Sequence, residues 1–163
     1  MQIRKTIPAD IDSVMQIYAD AREFMRKSGN PTQWKTGPAR ERVERDIQEE
    51  KSHVCTEGGE TIAAFYFAVE REPVYDSLDG DWLSEEIYGV IHRIAKRRGA
   101  PGGVGRFCIE WCLGRHGNIK IDTHENNAPM RKLLENLGFV YCGVVRYPDG
   151  GERIAFQKIQ RKD

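Results

Sequence analysis

The residues with the clearest chemical potential form a glycine-rich, basic turn between an apolar strand and a helix. The stretch from Tyr88 to Cys112 reads YGVIHRIAKRRGAPGGVGRFCIEWC, and Gly103 and Gly105 stand where the helix should begin. The first backbone N–H groups of a helix have no acceptor inside it and lie at its positive end, so they can bind an anion. The turn also supplies positive side chains, namely Lys96, Arg97, Arg98 and Arg106.

Two common phosphate-binding loops do not fit this turn. A Walker loop requires Gly-Lys-Ser/Thr, which is absent here, and a dinucleotide-binding loop requires a third glycine at a fixed spacing. A turn that merely joins a strand to a helix would also contain glycine. From the turn alone, a phosphate site and a structural turn therefore both remain open.

The elements that must position the turn follow from apolar periodicity and from turn residues. We predict helices from residue 10 to about 27, at about 38–51, at 104–116 and at 127–137, and strands at 2–6, 53–56, 61–69, 87–95, 118–123, 139–147 and 152–159. The strand–turn–helix–strand order implies two parallel strands, and the hairpins imply antiparallel pairs. The prediction is an α/β fold with a mixed sheet of six to seven strands and about four helices on both faces.

The composition indicates one folded domain over residues 1–163, because 39% of the residues are hydrophobic. Lys plus Arg and Asp plus Glu number 25 each, so the basic excess used by nucleic-acid and membrane-surface binders is missing. Neither a signal peptide nor an apolar stretch of about 20 residues is present. Cys55, Cys108, Cys112 and Cys142 form no CxxC pair, which favours free thiols in the cytoplasm and no metal site.

With the following segment included, the sequence resembles the GNAT superfamily of acyl-CoA-dependent N-acetyltransferases. That family's signature, Arg/Gln-x-x-Gly-x-Gly/Ala, lies between its fourth strand and third helix, and residues 100–105 fit it except that Ala100 replaces Arg or Gln. Its second signature is an Asn that opens the fourth helix, followed by a closing Gly-Phe pair. ENNAPMRKLLENLGF supplies the pair Gly138–Phe139 and, as the opening Asn, Asn127 or Asn126.

The resemblance implies acetyl-CoA as cosubstrate and a direct reaction. Acetyl-CoA would lie where the central parallel strands splay apart, and an amine would attack the thioester and expel CoA as a thiolate. A backbone N–H would stabilise the charge that develops on the thioester oxygen. The residues implied in cofactor binding are Arg93, Ile94, Ala95, Lys96, Gly102, Gly103, Val104, Gly105, Arg106 and Asn127.

Three residues are candidates for proton transfer. An alkyl ammonium group has an ordinary pKa of about 10.4, so a base that frees the amine would help, and His92 and His124 are candidates for it. Each has a structural alternative, since His92 could pack inside the sheet and His124 could cap the Asn-rich turn. Many family members protonate the thiolate with a tyrosine, but Leu134 stands at that position. Tyr141 or a water is then the candidate acid.

The acceptor implied by the resemblance is a small-molecule amine or a protein amino group. Gln33 and Trp34 lie in the region that shapes the acceptor pocket in this family, although a loop tryptophan can also cover the core. The acidic connection over 71–86 could attract a cationic amine or could be a solvated loop. Leu134 also leaves open a non-catalytic acyl-CoA sensor, and dimerisation through the last two strands is open as well.

Overall fold

The computed structural model describes residues 1–31 and 33–161. Four α-helices and eight strands lie in this part of the chain. In chain order they are β1 (Gln2–Lys5), α1 (Ile11–Lys27), α2 (Arg40–Gln48), β2 (Ser52–Glu57), β3 (Glu60–Val69), β4 (Asp79–Gly80), β5 (Gly89–Lys96), α3 (Val104–Arg115), β6 (Asn118–Thr123), α4 (Ala128–Asn136), β7 (Val140–Arg146) and β8 (Glu152–Ile159). Every helix and strand predicted from the sequence is present.

The chain forms two compact units. The first consists of Met1–Phe67 and His92–Trp111, and the second of Ala68–Ile91 and the chain from Cys112 onward. Strands β3 and β5 and helix α3 therefore contribute residues to both units. None of the helices among the described residues is long and apolar enough to span a membrane.

The first unit packs helices against both faces of its strands, which follow the order β1-β2-β3-β5. Neighbouring strand residues point to opposite faces, so each strand serves two layers. On one face, apolar stripes of α1 and α2 meet the strands at Val14, Ile17, Val43, Ile47, Val54, Ala64 and Ala95. On the other, the Trp111 ring of α3 contacts the rings of His53, Phe65 and Phe67. The prediction of helices on both faces is confirmed in this unit.

The second unit contains the parallel pair. Its strands follow the order β5-β6-β8-β7-β4. β5 and β6 run parallel, with Gly89 opposite Ile119 and Val90 opposite Lys120. The pairs β6–β8, β7–β8 and β4–β7 are antiparallel. The predicted mixed α/β fold is thus confirmed, with eight strands rather than six or seven.

The additional strand, β4, lies in the acidic connection, where the sequence pattern shows no strand. β4 pairs with β7 through only two residues, Asp79 and Gly80. A Cβ atom on Gly80 would lie 2.0 Å from the Cys142 carbonyl oxygen, and one on Gly143 would lie 2.1 Å from the Asp79 carbonyl oxygen. Two facing glycines therefore permit this close approach of the two backbones. A strand of two residues is too short to show the alternating pattern from which strands are predicted.

The same connection buries aromatic side chains while its carboxylates stay exposed. Tyr75 and Tyr88 are buried in a cluster with Val90, Val145 and Ala155, and Trp82 packs against that cluster. The acidic residues at 76, 79, 81, 85 and 86 are exposed. The connection is thus anchored by its rings, and its charges face solvent.

Candidate functional site

The glycine-rich turn of the first unit lies open at the start of α3. Gly102 and Gly103 are exposed, and a Cβ atom built on either would meet no atom within 4 Å. Gly103 has a φ of 85°, a conformation that favours glycine, and its carbonyl accepts the Phe107 N–H at 3.0 Å. The backbone N–H groups of residues 104–106 are the first of α3, so they have no acceptor within the helix.

The charges around the turn suit an anion. The first turn of α3 has no acidic residue. Arg106 pairs with Glu110 at 3.1 Å and Arg97 with Glu60 at 2.9 Å, and both arginines remain more than a third exposed. A phosphate group could therefore reach the helix amides and the guanidinium groups together. Val104 is buried and Gly105 is half-buried, so the start of α3 is fixed to the protein interior while the glycines before it stay exposed.

The segment of β5 before the turn contains the other residues implied in cofactor binding. Ala95 is buried against the α1–α2 core, Ile94 is half-buried and Lys96 is exposed. Arg93 has a φ of 51°, which is unusual for a residue with a side chain. The strand ends where the Arg97 N–H donates to the Ile62 carbonyl at 2.8 Å.

The Arg93 side chain lies in a buried polar cluster that the sequence analysis missed. Its guanidinium forms an ion pair with Asp46 of α2, and these side chains are 14% and 7% exposed. The guanidinium carbon is 5.0 Å from the centroid of the Tyr66 ring. Burial raises the pKa of Tyr18 to about 12, which the neighbouring positive charge of Arg93 partly offsets. One signal existed, because Asp46 lies on the helix stripe of Val43 and Ile47, where a carboxylate needs a partner.

His92 and the two predicted acceptor residues also belong to the first unit. The His92 ring is half-buried and lies 5.4 Å from the Tyr66 ring, measured between centroids. Trp34 packs edge-on against Tyr18, with 5.5 Å between centroids, and covers the α1–α2 core. The side-chain amide oxygen of Gln33, Oε1, accepts a hydrogen bond from the Asn30 Nδ2 at 2.8 Å. His92 and Trp34 are thus both linked to the Arg93 cluster through tyrosines.

The remaining predicted site residues belong to the second unit, on β7 and around the start of α4. The His124 Nδ1 accepts the Asn126 N–H at 3.0 Å. The ring therefore caps the Asn-rich turn, which was the structural alternative for this residue. Burial lowers the pKa of His124, and the Arg153 charge lowers it further. Asn127 caps α4 by accepting the Met130 N–H at 3.3 Å. Tyr141 is 55% exposed and packs edge-on against Phe156.

Leu134 is fully buried in the second unit. It therefore contributes to the core and has no hydroxyl group for a leaving thiolate. A different tyrosine, Tyr147, is placed at the carboxyl end of β6 by a 2.8 Å hydrogen bond from its hydroxyl to Asp122. Burial raises its pKa well above the usual value. This contact joins residues 25 positions apart, and no sequence motif predicts it.

The part of the chain that the structure describes contains no set of metal ligands. No group of three or more His, Cys, Asp or Glu side chains there could hold a metal ion. Cys55, Cys108, Cys112 and Cys142 are buried and form no disulfide.

Comparison with known proteins identifies the family. No protein-family model and no curated protein sequence matches the chain. Among solved structures, it matches a GNAT-family acetyltransferase from Streptococcus agalactiae 2603 at 30% identity and a TM-score of 0.87, over 99% of this chain and 96% of that chain. A GNAT-family acetyltransferase from Listeria monocytogenes 4b F2365 matches at 21% identity and 0.74, over 98% and 94%.

A third structure shows how widely the fold is shared. The ribosomal-protein-S18-alanine N-acetyltransferase from Escherichia coli matches at 19% identity and a TM-score of 0.67, covering 99% of this chain and 96% of that chain. At such identity the likeness concerns the fold alone. The streptococcal match reaches further, because it combines 30% identity with nearly complete coverage of both chains. The chain belongs to the GNAT family of acetyltransferases.

Proposed function

We propose that this acetyltransferase moves an acetyl group from acetyl-CoA to a primary amine by direct attack. The observation that carries the proposal is the open turn before α3, where Gly102 and Gly103 leave the helix amides accessible. Such a helix start suits the pyrophosphate of CoA, because several amide donors and a positive helix end coincide there. We propose one catalytic domain over residues 1–163, placed in the cytoplasm because its four cysteines form no disulfide.

The chain's own contribution would be positioning. Residues Gly102 to Arg106 would hold the pyrophosphate, and the backbone from Arg93 to Lys96 would hold the pantetheine arm. When bound, acetyl-CoA supplies the acetyl group as a reactive thioester. A β5 amide directed at the thioester oxygen would stabilise the negative charge of the tetrahedral intermediate, and fixed orientation would lower the entropic barrier.

The base that frees the amine is proposed to be His92. His124 is the second candidate, but its Nδ1 already accepts the Asn126 N–H, so its neutral ring would carry the proton on Nε2. The acid that serves the leaving thiolate is proposed to be Tyr141 or a water. We expect His92→Gln to lower kcat at pH 7 about 100-fold and to lose less at high pH, where the amine is already neutral. A pH–rate profile checks this, and an unchanged profile would eliminate His92.

The acceptor would be a small-molecule amine or a protein amino group near Gln33 and Trp34. A panel of spermidine, L-lysine and a peptide with an N-terminal alanine covers these classes. The peptide is included because the Escherichia coli neighbour is a ribosomal-protein-S18-alanine N-acetyltransferase. Release of free thiol from acetyl-CoA measures turnover with each amine.

A matched pair of glycine variants tests the donor site. Gly103 and Gly150 have φ values of 85° and 88°, and a Cβ atom on either meets nothing within 4 Å, so both carry the same backbone strain. Gly103→Glu places a carboxylate at the helix start and should abolish acetyl-CoA binding in calorimetry. Gly150→Glu, in the β7–β8 turn, should bind like the wild type. Equal loss in both variants, or none in Gly103→Glu, would contradict the proposal.

The competing function is an acyl-CoA sensor without turnover, which buried Leu134 favours because it removes the usual acid. A sensor would bind acetyl-CoA and release no thiol above the buffer rate with any amine of the panel. Amine-dependent thiol release that is lost in His92→Gln would exclude the sensor.

A further inference from the structure

Arg93 has a strained backbone in the middle of a strand. Among the described residues, the non-glycine residues with positive φ are Glu50 and Arg93, at 59° and 51°. Glu50 lies in the turn after α2, where such a conformation is common, whereas Arg93 lies inside β5. A residue with a side chain keeps this conformation only where its surroundings hold it.

The surroundings that hold Arg93 are specific contacts of its side chain. The guanidinium pairs with Asp46 on α2 and lies over the Tyr66 ring of β3, whose centroid is 5.0 Å from the guanidinium carbon. Asp46 is 7% exposed, so neither group of the pair is free to move into solvent. The side chain of a strand residue is thereby fixed to a helix and to a neighbouring strand.

These contacts are poorly explained by stability alone. The Arg93 Nε is buried and, among the described residues, has no hydrogen-bond partner. An unsatisfied donor is costly, and a buried ion pair often stabilises a fold no better than apolar residues would. The contacts of the Arg93 side chain do have a geometric effect. They fix the dihedral angles of residue 93, and these angles set the direction of the next peptide group.

We infer that Arg93 is a positioning residue, whose anchored side chain keeps the Ile94 amide directed at the thioester of the bound acyl donor. This inference rests on the proposed function. Asp46 and Tyr66 are then parts of the same device, although they need not touch the donor. The Arg93 side chain acts on the backbone, so its role should be replaceable by a residue that adopts positive φ unaided.

Glycine supplies that replacement, because it adopts positive φ without a side-chain anchor. We expect Arg93→Ala to weaken acetyl-CoA binding about tenfold, the effect of losing roughly one good hydrogen bond, and Arg93→Gly to bind acetyl-CoA at least about threefold more tightly than Arg93→Ala does. A second ligand, 3′-phospho-ADP, contains the phosphates of CoA without the pantetheine arm. Its affinity should change less than about twofold in both variants.

Asp46→Asn extends the test to the anchor, and Asp12→Asn is its control. Asp12 also pairs with an arginine, Arg40, but is 87% exposed. We expect Asp46→Asn to weaken acetyl-CoA about tenfold and Asp12→Asn to have no effect. If Asp46→Asn fails to fold in a thermal scan, Tyr66→Phe and Tyr66→Leu replace it, because Phe keeps the ring under the guanidinium and Leu does not.

The outcomes are separable. Equal losses in Arg93→Ala and Arg93→Gly would overturn the inference, since they would assign the guanidinium to direct ligand contact. Equal weakening of acetyl-CoA and 3′-phospho-ADP would overturn it too, because the defect would then lie at the phosphate site. A wild-type protein that binds neither ligand would refute the proposed function itself, and the inference with it.

Discussion

Arg93 in the first unit and Lys120 in the second are both largely shielded from solvent, and the two cations are held differently. In the first unit, Arg93 faces a carboxylate that is itself buried, since Asp46 is 7% exposed. In the second, Lys120 is 1% exposed, and its Nζ lies 4.2 Å and 4.1 Å from the ring centroids of Trp82 and Tyr88. Its nearest carboxylate, Glu85, is 3.9 Å away and 83% exposed.

The difference separates two ways of accommodating charge. A buried carboxylate fixes both partners in one geometry, so the Arg93–Asp46 pair can hold backbone in a strained conformation. Aromatic faces attract a cation without fixing its direction as closely, and they pack against the lysine methylenes. Burial lowers the pKa of Lys120, while the negative charge of Glu85 acts in the opposite direction. Lys120 therefore ties the aromatic connection to β6 mainly through packing.

The largest expected effect concerns the two carboxylates. Asp46→Ala leaves the Arg93 cation buried without its partner and should lower the free energy of unfolding by about 3–5 kcal/mol. Glu85→Ala removes an exposed partner and should cost less than about 1 kcal/mol. Urea denaturation of both variants measures the difference. Similar costs would show that the two cations are held in the same way after all.

The next effect concerns the packing of Lys120 against the rings of Trp82 and Tyr88. Lys120→Ala removes methylenes packed between two rings and should cost about 2–4 kcal/mol, as other buried truncations do. Lys120→Met keeps the volume and removes the charge, so its stability should lie within about 1 kcal/mol of the wild type. If Lys120→Met were as destabilised as Lys120→Ala, the charge rather than the packing would hold the connection.

A smaller effect is expected at the half-buried hydrogen bond between Tyr147 and Asp122. Tyr147→Phe removes the hydroxyl that donates to Asp122 at 2.8 Å and should cost about 1–2 kcal/mol. Tyr141→Phe is the control, because this ring is 55% exposed, and we expect a change below about 0.5 kcal/mol. Thermal unfolding of the two variants checks the prediction, which an unchanged Tyr147→Phe would contradict.

The smallest effect is a pH dependence of Lys120. Burial lowers the pKa of Lys120 in the folded state below the value of 10.5 that applies to the unfolded chain. Folding with a charged Lys120 therefore costs free energy at low pH, and this cost disappears as pH rises toward 10.5. The wild type should therefore gain stability relative to Lys120→Met between pH 7 and pH 10. Denaturation of both proteins across this range gives the difference, and a difference independent of pH would contradict the lowered pKa.

The parts of the molecule that local pattern determines could be predicted from the sequence. The strand at 118–123 matches β6, and the helix start at Val104 with Gly103 before it follows from the glycine-rich turn. Asn127 or Asn126 was expected to open the fourth helix, and Asn127 is the residue that caps α4. These features depend on neighbours within a few residues, where periodicity and capping preferences act.

The parts that depend on distant contacts could not be predicted. Asp46 and Arg93 are 47 residues apart, so the place of Asp46 on the apolar stripe of α2 indicates that it needs a partner but not which cation that partner is. Trp82 lies in the connection without periodicity and Tyr88 lies just after it, so their contacts with Lys120 depend on how that connection folds back onto β6. The roles of His92, His124 and Tyr141 stay predictions, because proton transfer depends on where the substrate lies.

A crystal structure of the wild-type protein soaked with acetyl-CoA tests the central claim most directly. The account predicts pyrophosphate oxygens within hydrogen-bond distance of the amides between Gly103 and Arg106, with the pantetheine arm running beside β5 and the thioester oxygen facing the Ile94 N–H. Acetyl-CoA bound elsewhere, or absent at saturating concentration, would contradict it.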